Sequence, residues 1–151
     1  RGLRTDSCGA GKFRGGLGID MIVRNLVDGR WNFQGSLRKF APPWGLSGGK
    51  AASSHTFLLK EPGANDWREM EAHRYPVAKN SRVIVRTGGG GGWGDPLDRD
   101  PDKVRWDVVE GLISREAAEK EYGVALDKAT LAVDRAATEA TRRTRRAETA
   151  A

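Results

Sequence analysis

The spacing of hydrophobic and polar positions changes about two-thirds of the way along the chain. Residues 19–26 (IDMIVRNL) are a short apolar run that predicts a strand, and Asp28-Gly29 reads as a two-residue hairpin turn. Residues 30–34 (RWNFQ) are then expected to be the returning strand. Residues 55–60 (HTFLLK) predict another strand, closed by a polar turn through Pro62-Gly63. In residues 81–87 (SRVIVRT), Val83 and Val85 alternate with Arg82, Ile84 and Arg86, the pattern of a mostly buried strand. That strand leads straight into a run of glycines.

Beyond residue 98 the period becomes helical. Asp100-Pro101 supplies an N-cap and a proline at the first helical position. Val104 and Val108, with Trp106 and Val109, are expected to form the apolar face, and Gly111 the stop. Ser114 caps a second short helix, REAAEKEY, that ends at Gly123. Residues 124–126 and 130–133 predict a small hairpin, and Asp134 caps a last helix trailing into RRTRRAETAA. The fold class expected is α+β: a β-rich body with glycine-rich loops over residues 1–97, then a helical C-terminal region with a small hairpin over residues 98–151.

Composition narrows the function. No run of about 18 apolar residues exists, so no membrane-spanning helix is expected, and the first residues lack the apolar core of a signal peptide. A single cysteine, Cys8, excludes an internal disulfide framework and points to a cytoplasmic setting. The net charge of +6 arises in the first third, where nine Lys/Arg face three Asp/Glu, while the rest of the chain is balanced. This excess is spread over strands and turns, unlike the clustered basic stripe of a nucleic-acid groove. The two short helices could suggest a helix-turn-helix. The second carries Glu116, Glu119 and Glu121 against Arg115 and Lys120, a poor surface for phosphates. No nucleic acid and no membrane is therefore expected as a partner, and Arg142, Arg143, Arg145 and Arg146 read as a solvated helix end.

Three glycine-rich stretches carry most of the information: SCGAGKFRGGLG (residues 7–18), PPWGLSGGK (42–50) and GGGGGWGDP (88–96). The first is no Walker A loop, because Phe13 follows Lys12 and no helix pattern comes after it. The third fails as a dinucleotide loop because it ends in Asp-Pro. Glycine in regular structure costs about 0.5–1 kcal/mol relative to alanine, so this many in one place imply positive φ angles or a close approach. One option is structural turns. The other is a loop against a ligand or partner subunit, with consecutive amides forming an anion nest and Asp95 at its exit. His55 and His73 do not form a metal-binding spacing, and Glu69 and Glu71 near His73 read as a charged surface loop. No metal site and no self-sufficient catalytic residue is assigned.

The order of these stretches resembles the C-terminal part of the hydantoinase B/oxoprolinase family. Its members show G-G-x-G-[KR]-[FWY]-R-G-G-x-G, then P-P-[WY]-G-L-x-G-G, then T-P-G-G-G-G-[YF]-G-D-P. A D-P-x-x-V-x-x-D-V-x-x-G-L-[IV]-S-x-E-A-A-x-x-x-Y-G-V segment matches Asp100-Pro101 through Val124. Cys8 replaces a glycine of the first motif, which is expected to strain that turn, and Gly88 replaces a proline of the third. The resemblance implies part of an ATP-dependent cyclic-amide hydrolase of hydantoinase or 5-oxoprolinase type, acting on a small-molecule substrate. Its implied partners are a hydantoinase A-type ATP-binding subunit and the N-terminal portion of its own subunit. ATP is implied through the A-type partner and a divalent metal through that N-terminal portion. An ATP-dependent ketone carboxylase subunit, or a non-catalytic module that docks the A-type subunit, are the alternatives. Arg14, Gly15, Gly16, Pro43, Gly45, Gly89, Gly90, Gly91, Gly92, Gly94 and Asp95 match the motifs and are the candidates for shaping a substrate site or an interface. Apart from its N-terminal partner strands, the chain is expected to be poorly soluble.

Overall fold

The structure, a computed structural model, describes residues 2–32, 41–70 and 74–150. Among these the strands are β1 (Gly2–Leu3), β2 (Ile19–Arg24), β3 (Gly29–Trp31), β4 (Thr56–Lys60), β5 (Arg68–Glu69), β6 (Tyr75–Val77), β7 (Arg82–Arg86), β8 (Ala125–Leu126) and β9 (Val133–Asp134). The helices are α1 (Pro101–Val109), α2 (Arg115–Tyr122) and α3 (Arg135–Ala150). The class is α+β. No helix among the described residues is long and apolar enough to cross a membrane.

The most β-branched strand takes the centre of the main sheet, whose order is β1-β2-β7-β4-β5 with all pairs antiparallel. Val83 and Val85 of β7 stand opposite Leu59 and Phe57 of β4 and opposite Val23 and Met21 of β2. Alternate residues share a sheet face, so these side chains make one apolar surface. Phe57, Leu59, Met70, Val77 and Val83 bury themselves there, with Trp31, Tyr75 and Val85 at the margin.

The expected hairpin across Asp28-Gly29 does not form. β2 pairs with β1 and β7, while β3 pairs with β6 through Gly29–Val77 and Trp31–Tyr75. The physical reason is Asn25. Its amide bonds the Ser81 carbonyl at 2.9 Å, its carbonyl accepts from Asn80 N at 2.7 Å, and its side-chain oxygen accepts from Trp31 Nε1 at 3.0 Å. Asp28 Oδ1 accepts from Lys79 N at 2.7 Å. Asn25 thus ends β2 on the start of β7, and Asp28 holds the turn after β6 instead of reversing the chain. Residues 33 and 34 of the expected return strand lie outside the described residues. The turn through Pro62-Gly63 forms as expected, with Gly63 at φ +78° and Ala64 N bonded to Glu61 O at 3.1 Å.

The helical half follows its caps. Asp100 accepts from Asp102 N at 2.9 Å, Ser114 from Ala117 N at 3.0 Å and Asp134 from Ala137 N at 2.9 Å. Gly111 and Gly123 take left-handed angles at the helix ends, where a Cβ would be strained. The buried face of α1 differs from expectation: Val104 and Asp107 are fully buried, whereas Trp106 and Val109 are more than half exposed. Val104 joins Ala10, Ile113, Ala118, Tyr122 and Val124 in a second core that joins the helices to the first glycine stretch. The terminal arginines are also not simply solvated. Arg142 Nε donates to Tyr122 O at 3.0 Å and Arg145 Nη1 to Lys120 O at 2.7 Å, satisfying carbonyls left open at the end of α2. Arg146 pairs with Asp98 at 2.7 Å.

Leu59, with no exposed surface, tests the first core. Leu59→Ala is expected to lower stability by about 2–5 kcal/mol, read as a shift of the urea midpoint. An unchanged midpoint would contradict this placement of the core.

Candidate functional site

The three glycine stretches, far apart in sequence, meet as one backbone lattice. Gly90 N donates to Gly16 O at 2.8 Å, and Gly9 N to Gly90 O at 2.9 Å. On the other side, Gly92 N donates to Lys50 O at 2.9 Å, Leu46 N to Gly92 O at 2.9 Å and Gly94 N to Leu46 O at 3.0 Å. Phe13 and Trp93 exchange both backbone bonds, at 3.0 and 2.9 Å. Lys50 N to Ala10 O at 2.7 Å ties the outer two stretches together. The run of residues 88–94 is therefore the middle member of three.

Here the glycines are required by proximity. A Cβ on Gly91 would stand 1.9 Å from Trp44 O, on Gly92 2.0 Å from Ala10 O, on Gly89 2.2 Å from Ser7 O, and on Gly15 1.8 Å from Gly90 O. Gly45 is equally closed, 2.0 Å from Gly49 O, while a Cβ on Gly16 would meet nothing within 4 Å. Gly90 is less constrained, its nearest neighbour being Gly16 N at 3.2 Å. Gly94 alone of the third run has positive φ, +75°. An anion nest needs alternating right- and left-handed residues, which the five consecutive glycines do not have. The amides of Gly90, Gly92, Trp93 and Gly94 are moreover bonded to carbonyls, so of the two options for this run close backbone packing is the one observed, not an anion nest. Cys8 is likewise not strained, since its φ is not positive; Asp6 holds the left-handed angle of that turn, φ 60°.

The remaining motif residues anchor the lattice. Pro43 offers its carbonyl to Ala52 N at 2.9 Å. Asp95 caps the 3-10 turn Pro96–Asp98, accepting from Leu97 N at 2.8 Å. Arg14 reaches away from the lattice: its Nε donates to Asp107 Oδ1 at 2.9 Å, and Arg99 Nη2 donates to Asp107 Oδ2 at 2.8 Å. A buried carboxylate with both oxygens paired to guanidinium groups is a cross-link whose one-sided loss costs about 3–5 kcal/mol. It joins the first glycine stretch, the segment after the third, and α1. No sequence pattern points to Ser7, yet its hydroxyl accepts from Gly18 N at 2.8 Å and donates to Arg4 O at 2.6 Å, closing the first stretch into a loop. In the sequence Asp107 is the second aspartate of the D-P-x-x-V-x-x-D-V segment, three residues after Val104, with nothing to say which groups it pairs with.

Between the lattice and α2 lies a cleft of ≈ 560 Å³ lined by Cys8, Lys50, Ser53, Glu116 and Tyr122 among others. Lys50 and Glu121, both on its lining, pair at 2.9 Å. The Tyr122 hydroxyl is buried without a hydrogen-bond partner, and burial pushes its acidity well below that of an ordinary phenol. Burial also raises the Cys8 pKa, an effect the nearby Arg14 charge only partly offsets. Among the described residues no three His, Cys, Asp or Glu side chains gather as a metal-ligand set. His73 and Glu71 lie outside the described residues.

Two outcomes follow. Gly91→Ala is expected to abolish the cooperative thermal transition or lower its midpoint sharply, whereas Gly16→Ala leaves it within a few degrees; equal effects would contradict the lattice. Cys8, protonated across neutral pH, is expected to react with iodoacetamide more slowly in the folded chain than in urea. Its labelling rate is expected to rise only above the ordinary thiol range. Equal rates in both states at pH 8 would contradict its burial.

The sequence profile of the Hydantoinase B/oxoprolinase family matches residues 1–96, which contain all three glycine stretches. The B-type subunit of a "Putative D-/L-hydantoinase" from Pseudomonas sp. (strain NS671) is 33% identical over 126 residues, covering 82% of this chain and 21% of that protein. The acetone carboxylase alpha subunit of Xanthobacter autotrophicus (strain ATCC BAA-1158 / Py2) is 29% identical over 181 residues, covering 94% of this chain and 23% of the relative. Among solved structures, the ATP-dependent caprolactamase of Pseudomonas jessenii superposes with a TM-score of 0.71 at 30% identity, over 94% of this chain and 25% of that one. The chain thus spans between a fifth and a quarter of the length of these proteins. With the family profile covering well over half of it, the chain belongs to the hydantoinase B/oxoprolinase family.

Proposed function

We propose that this chain supplies the C-terminal, glycine-laced module of a hydantoinase B-type component in an ATP-dependent enzyme that opens cyclic amides. The observation that carries the reading is the interlocking of all three family motifs into one lattice. A backbone packed without side chains is stiff, and stiffness at a reaction centre preserves the alignment that bimolecular chemistry needs. On this reading Gly89, Gly90, Gly91, Gly92 and Gly94 shape the site. Gly15, Gly16, Pro43, Gly45 and Asp95 hold that shape, and Arg14 ties it to the helices through Asp107. None of them is assigned a bond-making role.

Amide resonance makes ring opening slow, and transfer of a phosphoryl group to the carbonyl oxygen turns that oxygen into a leaving group. On this reading an A-type subunit supplies ATP for this step. The divalent ion implied by the family finds no ligand set among the described residues. The cleft beside Cys8 has the size of a small-molecule site, which suits a cyclic amide. Similarity to an acetone carboxylase subunit along most of the chain supports a second reading, carboxylation of a ketone by the same two-component plan.

Reconstitution decides between them. The chain is combined with the other portion of a B-type subunit, an A-type subunit, ATP and either 5-oxoproline or acetone with bicarbonate. Chain-dependent ring opening coupled to ADP formation is the expected result. Chain-dependent carboxylation would establish the second reading, and assembly without turnover would make the chain a docking module.

A further inference from the structure

The Tyr122 hydroxyl is a buried donor with nothing to donate to. Tyr122 is 1% exposed, and among the described residues its oxygen has no hydrogen-bond partner. A donor in this state costs a folded chain stability, because it has given up water and gained nothing. Its neighbours explain why none of them satisfies it. Cys8, Arg99 and Asp107 all act on the phenol electrostatically. The hydroxyl therefore lies between the Cys8 wall of the cleft and the Arg14–Asp107–Arg99 cross-link. Each oxygen of Asp107 already holds a guanidinium donor, at 2.9 and 2.8 Å. The lattice carbonyls on this side are taken too, Ala10 O by Lys50 N at 2.7 Å and Ser7 O by Ser53 N at 3.0 Å. Sulfur is a weak acceptor, and the Cys8 thiol does not bond the hydroxyl. The cleft, whose wall Tyr122 and Cys8 share, is the side from which an acceptor can come.

The cleft limits what that acceptor is. Its ≈ 560 Å³ suits a small molecule, and Ala10, Ala52 and Ile113 give it apolar surface. Its carboxylates, Asp6, Glu116 and Glu121, outnumber Lys50 and Lys120, and Lys50 is already paired with Glu121. An anion is repelled here, and a neutral carbonyl compound is not. Burial keeps the phenol protonated through neutral pH, so it holds a proton to offer.

We propose that the Tyr122 hydroxyl donates a hydrogen bond to the carbonyl oxygen of a small neutral ligand, a cyclic amide or a ketone, held in this cleft beside Cys8. The inference rests on the reading of the chain as part of an enzyme acting on such carbonyl compounds, and it adds the atom that orients the ligand. The hydroxyl binds and orients; it makes and breaks no covalent bond. A donor with no partner inside the fold discriminates against any ligand that lacks the carbonyl, since such a ligand leaves it unpaired.

The single cysteine makes the test local. Iodoacetamide labels only Cys8, so a ligand seated beside it slows the reaction. The full chain is labelled at one fixed pH in increasing 2-piperidone, with acetone and 5-oxoproline in parallel, and Tyr122→Phe is compared throughout. Saturable protection by 2-piperidone is expected in the unaltered chain. Tyr122→Phe removes an oxygen that the fold leaves unbonded, and is expected to need about three- to tenfold more 2-piperidone for half-protection. Its urea midpoint and its labelling rate without ligand are expected to match the unaltered chain, which separates a lost donor from a lost fold. 5-Oxoproline, a carboxylate, is expected to protect least. Protection by acetone with the same dependence on Tyr122 would support the donor and favour the carboxylation reading. Equal half-protecting concentrations in both chains would overturn the donor. Protection by 5-oxoproline as strong as that by 2-piperidone would overturn the neutral ligand. Absence of protection by both neutral compounds, a result that needs no variant, would overturn the site. Chain-dependent ring opening in the reconstituted enzyme, measured separately, would then still uphold the module reading.

Discussion

The fold depends on three backbone segments approaching more closely than side chains allow. At Gly15, Gly91 and Gly92 a Cβ would fall within about 2 Å of a carbonyl oxygen of a neighbouring segment, so the hydrogen bonds that knit the lattice exist only because these positions carry no side chain. Glycine loses more backbone entropy on folding than other residues, and the lattice offsets this through bonds from the middle segment to both flanking segments. The result is a stiff, thin layer with almost no core of its own. It borrows stability from its two sides.

On one side the main sheet runs directly into it, because β7 ends where the third glycine stretch begins. On the other, Asp107 gathers Arg14 and Arg99, tying the helices to the first stretch and to the turn after the third. Ala10 adds the apolar counterpart by packing with Val104, Ile113 and Tyr122. The helical region is thus less a separate appendage than a clamp. Its last helix repeats the theme, with Arg142 and Arg145 donating to the carbonyls that end α2. Burial disfavours the charged form of the Arg142 side chain, and the neighbouring Arg146 adds repulsion.

A layer built this way has functional consequences. It leaves the side chains that do exist within the glycine stretches, Phe13, Trp44, Leu46 and Trp93, standing on a rigid surface rather than buried beneath it. It also brings Cys8, Lys50 and Tyr122 to a cleft against α2 although they come from three separate parts of the chain. Both lie within or beside the three stretches that carry the match to the hydantoinase B/oxoprolinase family.

Local signals were readable where one residue does one local job. Asp100, Ser114 and Asp134 cap their helices, Gly111 and Gly123 end them, and the strands at residues 56–60 and 82–86 follow their apolar alternation. The glycine motifs announced the family for the same reason, since each position demands one residue type. What the linear pattern could not convey is who pairs with whom. The Asp-Gly turn signal was overridden because Asn25 and Asp28 found partners some fifty residues away, and a turn worth little on its own yields to a central strand. The purpose of the glycines was equally hidden: close approach and positive φ call for the same residue, and only the positions of Ser7, Ala10 and Trp44 carbonyls decide between them. Asp107 was legible as a motif aspartate on the Val104 side of α1, but the two arginines that close on it from distant segments were not. Sequence by itself determined the helices with their caps, the strands around residues 19–24, 56–60 and 82–86, and the family; tertiary structure decided the short edge strands and the pairing, because strand choice, backbone proximity and charge burial are set by neighbours that the chain brings together only on folding.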